Sequence, residues 1–243
     1  MSLLKANVAL TPAEVEAYAQ EESVCVVTDI FRATTTIVTA LANGAEKFIA
    51  LETIQEAQLA KEQGHLVGAE RNCERCSFAH WGNDPLEYEA SEVQGQTIYF
   101  TTTNGTRTIK RCLQLGFTVI IGSFNNLTAV ARYCKHKPLL AVCAGWQGRF
   151  CMEDALFAGA LLEKLTPTHY PDADAARMLL EQWQQHNAHL ESYLRKFTHY
   201  QRLVNAAKAE AIPFCLEQDL TTVVPLASIQ NGQIVITPNK ELA

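Results

Sequence analysis

One loop of the sequence has the residue types of a binding site for a small anion. Residues 29–36 read Asp-Ile-Phe-Arg-Ala-Thr-Thr-Thr, between a short apolar run and residues with helical spacing. Free backbone N–H groups and the dipole at a helix N-terminus attract negative charge. The hydroxyls of Thr34, Thr35 and Thr36 add donors. Because Arg32 can also contact two oxygens of a phosphate or sulfonate at once, the loop predicts a site for a phosphate-bearing small molecule.

Asp29 is the unexpected member of this loop. A carboxylate beside a bound anion is repulsive unless a cation lies between them, so Asp29 indicates a divalent metal ion. A simpler interpretation is that Thr34 caps the helix and Asp29 is a turn residue at the end of the strand. That interpretation accounts for one threonine, but it leaves Arg32 and the other two threonines unexplained.

A second loop has the same character. The residues that follow the strand-like segment 97–101 include Thr103, Asn104, Gly105, Thr106 and Arg107. Gly105 lets the backbone approach a ligand closely, and the hydroxyls and Arg107 supply donors. Ligands of open parallel α/β sheets bind beyond the carboxyl ends of the strands. Three further polar residues at such ends complete the predicted substrate-binding set: Arg71, Asn72 and Asn125.

Acidic residues at the same strand ends predict a metal site. The predicted ligands are Asp29, Glu70, Glu153 and Asp154. Carboxylate oxygens suit Mg²⁺, which would neutralise a phosphate and position or activate an attacking water. Asp29, Arg32 and Glu70 are the predicted catalytic residues. Glu153 and Asp154 also have a structural interpretation, because acids in the first turn of a helix complement its dipole.

The elements that must position these residues alternate along the chain. Strand-like runs occupy residues 24–29, 47–51, 66–69, 97–101, 118–121 and 139–143. Helical spacing occurs in residues 34–43, 54–63 and 153–164. This alternation is typical of right-handed βαβ units. We therefore expect a three-layer α/β/α fold with a mainly parallel sheet, in a single domain of residues 1–243.

The C-terminal third differs in composition from the rest of the chain. Residues 172–209 are polar with apolar residues near helical spacing, which predicts a helical hairpin that packs on the sheet or partly covers the site. Residues 214–224 and 232–236 predict short closing strands. His199 could reach the site from the hairpin as a general acid, but a surface histidine is the favoured interpretation.

The sequence contains an internal echo. At an offset of 72 residues, Thr34 aligns with Thr106, and Gly44 with Gly116. Residues 24–64 and 96–136 both read strand, Thr-rich loop, helix, glycine, strand and helix. The match predicts two related βαβ units that bring two similar loops to one edge of the sheet.

Composition limits the classes of partner. The net charge of −6 comes without a basic cluster, so neither a nucleic acid nor a membrane is expected, and the expected partner is a small anionic substrate. The N-terminal residues lack the apolar core of a signal peptide, and the eight cysteines are scattered, which favours reduced thiols and a cytoplasmic protein. A homodimer is compatible with this composition.

Three alternatives remain open at this point. Cys143 and Arg149 fit C-x5-R after a strand, the pattern of a phosphatase with a thiolate nucleophile, although the residues between them make a poor phosphate cradle. Asp29 could instead be a nucleophile that forms an aspartyl phosphate, but Phe31 stands where the usual signature has a second Asp. A non-catalytic binding protein for a phosphorylated or sulfonated metabolite would have no use for four acidic loop residues.

Long and unusual motifs over nearly the whole chain resemble the 2-phosphosulfolactate phosphatase (ComB) family. The matching segments are residues 29–36, 68–72, 82–85, 101–107, 122–125, 142–145 and 153–159, with Asp219 and residues 224–225. The resemblance implies an α/β fold and Mg²⁺-dependent hydrolysis of 2-phospho-3-sulfolactate to sulfolactate and phosphate, a step of coenzyme M biosynthesis. A substrate with a phosphate, a sulfonate and a carboxylate agrees with two anion-type loops and two arginines. Ala69 and the loop at residues 73–81 depart from the family pattern, and they put loop shape in doubt more than chemistry.

Overall fold

A mixed β-sheet runs through the part of the chain that the computed structural model describes, residues 2–19 and 23–239. Its strands are β1 (Leu4–Ala9), β2 (Val24–Thr28), β3 (Lys47–Ala50), β4 (Leu66–Arg71), β5 (Glu74–Arg75), β6 (Thr97–Thr101), β7 (Thr118–Gly122), β8 (Leu139–Cys143), β9 (His169–Pro171), β10 (Pro225–Gln230) and β11 (Gln233–Pro238). The α-helices are α1 (Ala33–Ala42), α2 (Ile54–Glu62), α3 (Ala90–Val93), α4 (Gly105–Gln114), α5 (Leu127–Cys134), α6 (Met152–Leu165), α7 (Asp174–His186), α8 (Leu190–Leu194), α9 (Thr198–Asn205) and α10 (Ala211–Leu216). Short 3-10 turns occupy Pro12–Tyr18, Pro85–Glu87, Phe124–Asn126 and Asn187–His189.

Apolar side chains cover both faces of the sheet, which confirms the predicted layers. Along β2, Val24 and Val26 belong to one buried cluster, with α5, α6 and α7. Cys25 and Val27 belong to the other cluster, with α1 and α4. Because successive side chains of a strand point to opposite faces, the run of apolar residues in β2 serves both layers.

The order of the strands is β5-β4-β6-β3-β11-β10-β7-β2-β8-β1-β9. Strands β7, β2, β8 and β1 run parallel to one another, and so do β4, β6 and β3. The hairpin β10–β11 lies between these groups and pairs antiparallel with β7 and β3. Three antiparallel pairings in succession make the two groups run in opposite senses across the hairpin. The sheet is therefore mixed and mostly parallel, and strand twist must bring the two groups together where their loops meet.

The two similar segments contribute strands to both groups. Residues 24–64 supply β2 and β3, and residues 96–136 supply β6 and β7. The pairing crosses between the segments, since β2 pairs with β7 and β3 pairs with β6. Gly44, at φ +94°, follows the end of α1 in the left-handed conformation that favours glycine, as the sequence predicts.

Two C-terminal predictions differ from the structure. The segment expected to form two helices forms α7, α8 and α9, with α7 packed along α6. The strand expected at residues 214–224 is wrong, because residues 211–216 form α10 and the hairpin strand begins at Pro225. A short apolar run fits a buried strand or a buried helix equally well, and here Ala211, Ile212 and Cys215 pack into the core. The strand expected at residues 232–236 is confirmed as β11.

Among the described residues, no helix is both long and apolar enough to cross a membrane.

Candidate active site

Asp29 accepts hydrogen bonds from the first two residues of the helix that follows it. Its Oδ1 accepts a hydrogen bond from the N–H of Ala33 at 3.4 Å, and its carbonyl accepts one from the N–H of Thr34 at 3.0 Å. The residue is 6% exposed. Since the first amides of a helix have no partner within it, they are satisfied here by Asp29 itself. The anion at this helix N-terminus is thus a carboxylate of the protein.

The threonines of the same loop are part of its framework. The hydroxyl of Thr34 accepts from the N–H of Asp29 at 2.9 Å. The hydroxyl of Thr35 donates to the carbonyl of Ile30 at 3.0 Å. The hydroxyl of Thr36 is buried and has no partner in the described part of the chain. Two of the three hydroxyls therefore fix the backbone that holds Asp29 in place.

The charges of two other buried carboxylates act on Asp29. Burial is the main reason that the pKa of Asp29 is raised to about 6, and the negative charges of Glu153 and Glu70 add to the rise. The charge of His199 and the N–H of Ala33 oppose it. Glu70 lies near the end of β4, Glu153 lies in the first turn of α6, and both are buried. The fold thus concentrates acidic groups away from water, an arrangement that is costly unless a cation or a proton joins them.

Glu153 and His199 form a buried pair. The Nδ1 of His199 donates to Oε1 of Glu153, and the residues are 7% and 1% exposed, in that order. Burial alone would lower the pKa of His199, but the charge and hydrogen bond of Glu153, together with the charge of Asp29, raise it overall. Oε2 of Glu153 is buried and lacks a hydrogen-bond partner among residues 2–19 and 23–239. The favoured interpretation of His199 as a surface histidine is therefore wrong.

Asp154 contacts backbone instead of facing the other acids with free oxygens. Its Oδ1 accepts from the N–H of Ile30 at 2.8 Å, and its Oδ2 accepts from the N–H of Gly145 at 3.0 Å. Burial and the charges of Glu153 and Asp29 raise its pKa well above the ordinary range. Asp154 thereby ties the loop after β2 to the loop after β8.

Arg32 has a carboxylate partner within the protein. Its Nη1 lies 2.5 Å from Oδ2 of Asp84, and its side chain is 3% exposed. Oδ1 of Asp84 also accepts from the N–H of Leu86 at 3.1 Å. The guanidinium predicted to hold a phosphate thus anchors the start of α1 to the loop that precedes Pro85–Glu87.

The loop after β6 packs directly on Asp29. A Cβ placed on Gly105 would lie 2.8 Å from Cβ of Ala33 and 3.1 Å from Oδ2 of Asp29, so a glycine is required by the close approach of α4. Thr106 donates to the carbonyl of Thr102, whose own hydroxyl is buried and unpartnered within the described ranges. The loop after β6 and the loop after β2 therefore contact each other.

A cavity of about 450 Å³ lies beside the loop after β6. Its lining includes Thr103, Asn104, Arg107, Ala144 and Gln147. Oδ1 of Asn104 accepts from the N–H of Gln147 at 3.4 Å, which connects the two walls. The volume suits a small polar ligand.

Three arginines lie around the acidic cluster. Burial lowers the pKa of Arg71, and the nearby charge of Arg107, which is exposed at the start of α4, lowers it further. Arg71 donates to the carbonyl of Glu70 at 2.6 Å and to the hydroxyl of Thr101 at 3.0 Å. The guanidinium carbon of Arg202 lies 4.7 Å from the ring centroid of Trp146. Cations at the rim of a buried acidic site are suited to a substrate with several negative groups.

No hydrogen bond among the described residues joins Asn72 or Asn125 to the acidic cluster around Asp29. Asn72 is exposed in the turn between β4 and β5, at φ +56°. The amide of Asn125 donates to the carbonyls of Phe214 and Glu217 at 2.9 and 2.8 Å. Asn125 therefore anchors the segment that follows α10.

Two residues of the site were missed by sequence reasoning. Asp84 stood in a motif without an assigned role, and its pairing with Arg32 spans 52 residues of sequence. Arg202 follows His199 by three residues, which places both on one side of α9. That spacing was the signal in the sequence that one side of α9 contributes to the site.

The surroundings of Cys143 do not suit a thiolate nucleophile. The thiol is 0% exposed, and its burial followed by the charges of Asp154 and Glu153 raises its pKa well above the ordinary value. Arg149 is exposed, and its backbone pairs with that of Trp146 in a tight turn. No helix begins at this turn, since α6 starts at Met152.

We expect Cys143→Ala to keep the phosphatase activity that the family resemblance implies within about threefold of the unmodified protein, with a cost in stability of roughly 1 kcal/mol for the lost packing. Treatment of the folded protein with iodoacetamide should leave the rate of phosphate release unchanged. If Cys143→Ala retains its circular dichroism but releases phosphate several orders of magnitude more slowly, Cys143 is the nucleophile after all.

Comparison with known proteins identifies the family. A family profile described as 2-phosphosulpholactate phosphatase matches residues 9–230. A probable 2-phosphosulfolactate phosphatase of Thermotoga maritima is 39% identical over 87% of this chain and 91% of its own length. Proteins with the same description from Caldanaerobacter subterraneus and Gloeobacter violaceus are 37% and 34% identical, over 87% and 82% of this chain and 90% and 86% of their own lengths. The resemblance seen in the motifs is therefore confirmed, and the chain belongs to the 2-phosphosulfolactate phosphatase family of phosphoric monoester hydrolases.

Proposed function

We propose that this protein is a Mg²⁺-dependent phosphatase that hydrolyses 2-phospho-3-sulfolactate, or a closely related small phospho-acid, to 3-sulfolactate and phosphate. The observation that carries the proposal is the burial of Asp29, Glu70 and Glu153, the last two of which act on Asp29 through their charges, beside the contact between Gly105 and Asp29. Relatives described as probable 2-phosphosulfolactate phosphatases support the choice of substrate. In organisms that make coenzyme M, the reaction would be a step of its biosynthesis.

The donor types of the residues present suit a magnesium ion. Asp29, Glu70 and Glu153 supply oxygen donors, the kind that Mg²⁺ prefers. Oε2 of Glu153 is buried, and no described residue satisfies it. We assign the metal to these three carboxylates. Asp154, whose two oxygens are taken up by backbone amides, is assigned to positioning the loops that carry them. When bound, Mg²⁺ would offset the charge of the phosphate and favour attack by water.

The surrounding residues supply binding and orientation. Asp29 has a pKa of about 6, so its carboxylate is available at neutral pH as a ligand or as a base toward water. Arg107 lines the cavity of about 450 Å³, where it would hold the sulfonate or carboxylate of the substrate, and the charge of Arg71 lies near that of Arg107. Thr103 and Asn104 line the same cavity and would complete that contact. Thr106 would support their loop through its hydrogen bond to the carbonyl of Thr102. Arg32 would act through Asp84, as the anchor of the loop that carries Asp29.

Metal removal tests the proposal directly. Phosphate release from 2-phospho-3-sulfolactate should fall below about 1% of its initial rate after dialysis against EDTA, and added Mg²⁺ should restore it, since charge neutralisation at phosphate is worth several kcal/mol. Malachite-green detection of phosphate measures both rates. Turnover that persists unchanged in EDTA would contradict the magnesium assignment. Binding of the substrate by calorimetry without phosphate release would favour a binding protein instead.

A further inference from the structure

A second set of donor atoms lies next to the proposed magnesium ligands. Single donor atoms of Cys151, Glu153 and His199 all lie within 4.8 Å of one another, and all three residues are buried. Cys151 precedes the first turn of α6, Glu153 lies within that turn, and His199 comes from α9. The set therefore joins two elements that are distant in sequence.

Two further observations indicate that this set can receive a ligand. Glu153 is only 1% exposed, yet its Oε2 has no hydrogen-bond partner in the described part of the chain. A cavity of about 240 Å³ is lined by Cys151, His199, Trp146 and Arg149, among others. The cavity gives an ion or a small ligand a route to the sulfur and the imidazole.

The donor types differ from those of a magnesium site. A thiol, an imidazole and a carboxylate are the ligands of Zn²⁺ and similar cations, whereas Mg²⁺ takes oxygen donors and keeps several waters. Three protein ligands also leave Zn²⁺ a fourth position for water. We propose that Cys151, Glu153 and His199 bind a thiophilic divalent cation of the Zn²⁺ type. If the function proposed above is correct, this cation inhibits turnover, because it competes with Mg²⁺ for Glu153.

Small movements would close the site. Zn²⁺ bonds of about 2.0–2.3 Å place neighbouring donors roughly 3.3–3.8 Å apart, so no donor separation needs to contract by more than about 1.5 Å. The hydrogen bond between His199 and Glu153 must open, so that the metal takes the place of the shared proton. Cys151 loses its thiol proton to solvent as the metal–sulfur bond forms, and the lone pair of His199 turns to the metal.

Cobalt spectroscopy tests the binding without any measurement of turnover. Co²⁺ titrated into the metal-free protein should produce one equivalent of a thiolate charge-transfer band, and Zn²⁺ should displace it. Cys151→Ser should abolish the band and weaken Zn²⁺ binding by at least about a hundredfold. Cys143→Ala, which changes a buried thiol outside the set, should leave band and affinity unchanged. A Co²⁺ band that survives in Cys151→Ser, or its absence from the unmodified protein, would overturn the assignment.

The inhibitory consequence has its own test. In saturating Mg²⁺, Zn²⁺ should inhibit phosphate release by the unmodified protein, and excess Mg²⁺ should relieve the inhibition. The Zn²⁺ concentration for half-inhibition should rise at least about tenfold in Cys151→Ser, with each variant normalised to its own uninhibited rate. Equal sensitivity of the two proteins would remove the inhibitory role. Failure of the phosphatase proposal would appear separately, as a lack of turnover in Mg²⁺ while the cobalt band remains.

Discussion

Asp29→Asn is expected to abolish turnover while making the folded protein more stable. The substitution removes the negative charge at the centre of the acidic cluster, so loss of its role as metal ligand or base should lower kcat by at least about 10²–10⁴-fold. The asparagine side chain keeps an oxygen that can accept from the N–H of Ala33, so the helix cap is retained. Phosphate release in saturating Mg²⁺ measures the loss of activity.

The stability gain follows from the direction of the pKa shift. Folding raises the pKa of Asp29 from 3.8 to about 6, so the folded state holds the proton more tightly than the unfolded chain. The protonated carboxyl of Asp29 therefore stabilises the folded state fully below about pH 4, and this stabilisation is lost as the pH rises through about 6. Above that pH the folded protein carries a buried charge that costs roughly 2–3 kcal/mol, at about 1.36 kcal/mol per pKa unit. The neutral amide of the variant avoids that cost.

Urea unfolding in EDTA at pH 5 and pH 7.5 measures this effect. The gain in free energy of unfolding for Asp29→Asn should be larger at pH 7.5 than at pH 5. The exposed Asp174→Asn provides the control and should change stability by less than about 0.5 kcal/mol at either pH. A variant that retains full turnover, or that is less stable than the unmodified protein at pH 7.5, would contradict the role assigned to Asp29.

Asp84→Ala is expected to destabilise the fold by about 3–5 kcal/mol. It leaves the guanidinium of Arg32 in a position with a side-chain exposure of 3% and without its carboxylate partner. A charge that is buried and unpaired is far more costly than the pair that it replaces. Because Arg32 immediately precedes α1, activity should fall together with stability as the loop that carries Asp29 loses its anchor.

Two comparison variants separate the buried pair from a general charge effect. The double variant Arg32→Met with Asp84→Ala should recover most of the lost stability, since no unpaired charge remains. Glu52→Ala breaks the half-exposed pair with Lys110 and should cost no more than about 1 kcal/mol. Equal losses for Asp84→Ala and Glu52→Ala in urea unfolding would show that the Arg32–Asp84 pair is not effectively buried.

The first loop illustrates how a correct pattern led to an incomplete interpretation. A helix N-terminus with threonines and an acid was identified from residue types alone, and α1 begins there. The structure shows that Asp29 satisfies the free amides and that Thr34 and Thr35 bond to the loop itself. Local sequence indicates which groups could bind an anion, but it does not show whether a carboxylate of the protein already occupies those groups.

The sequence by itself determined most of the secondary-structure elements and the acidic residues that follow the strands. Periodicity predicted β2, β3, β4, β6, β7 and β8, with α1, α2 and α6, within a few residues, because burial on one or both faces imposes a local repeat. It did not predict β1 or β10. The motifs identified the family without any coordinates, and they contained Asp29, Glu70 and Glu153.

Only the tertiary structure decided which of these groups meet and what each one contacts. The hairpin β10–β11 enters the middle of the sheet and leaves β3, β4 and β6 running opposite to β7, β2, β8 and β1, yet Gly105 still packs on Asp29. His199 and Glu153 meet across 46 residues of sequence, and Arg32 and Asp84 across 52. Such contacts depend on strand order, on twist and on the packing of whole helices, and a repeat of about two or 3.6 residues along the chain contains no information about them.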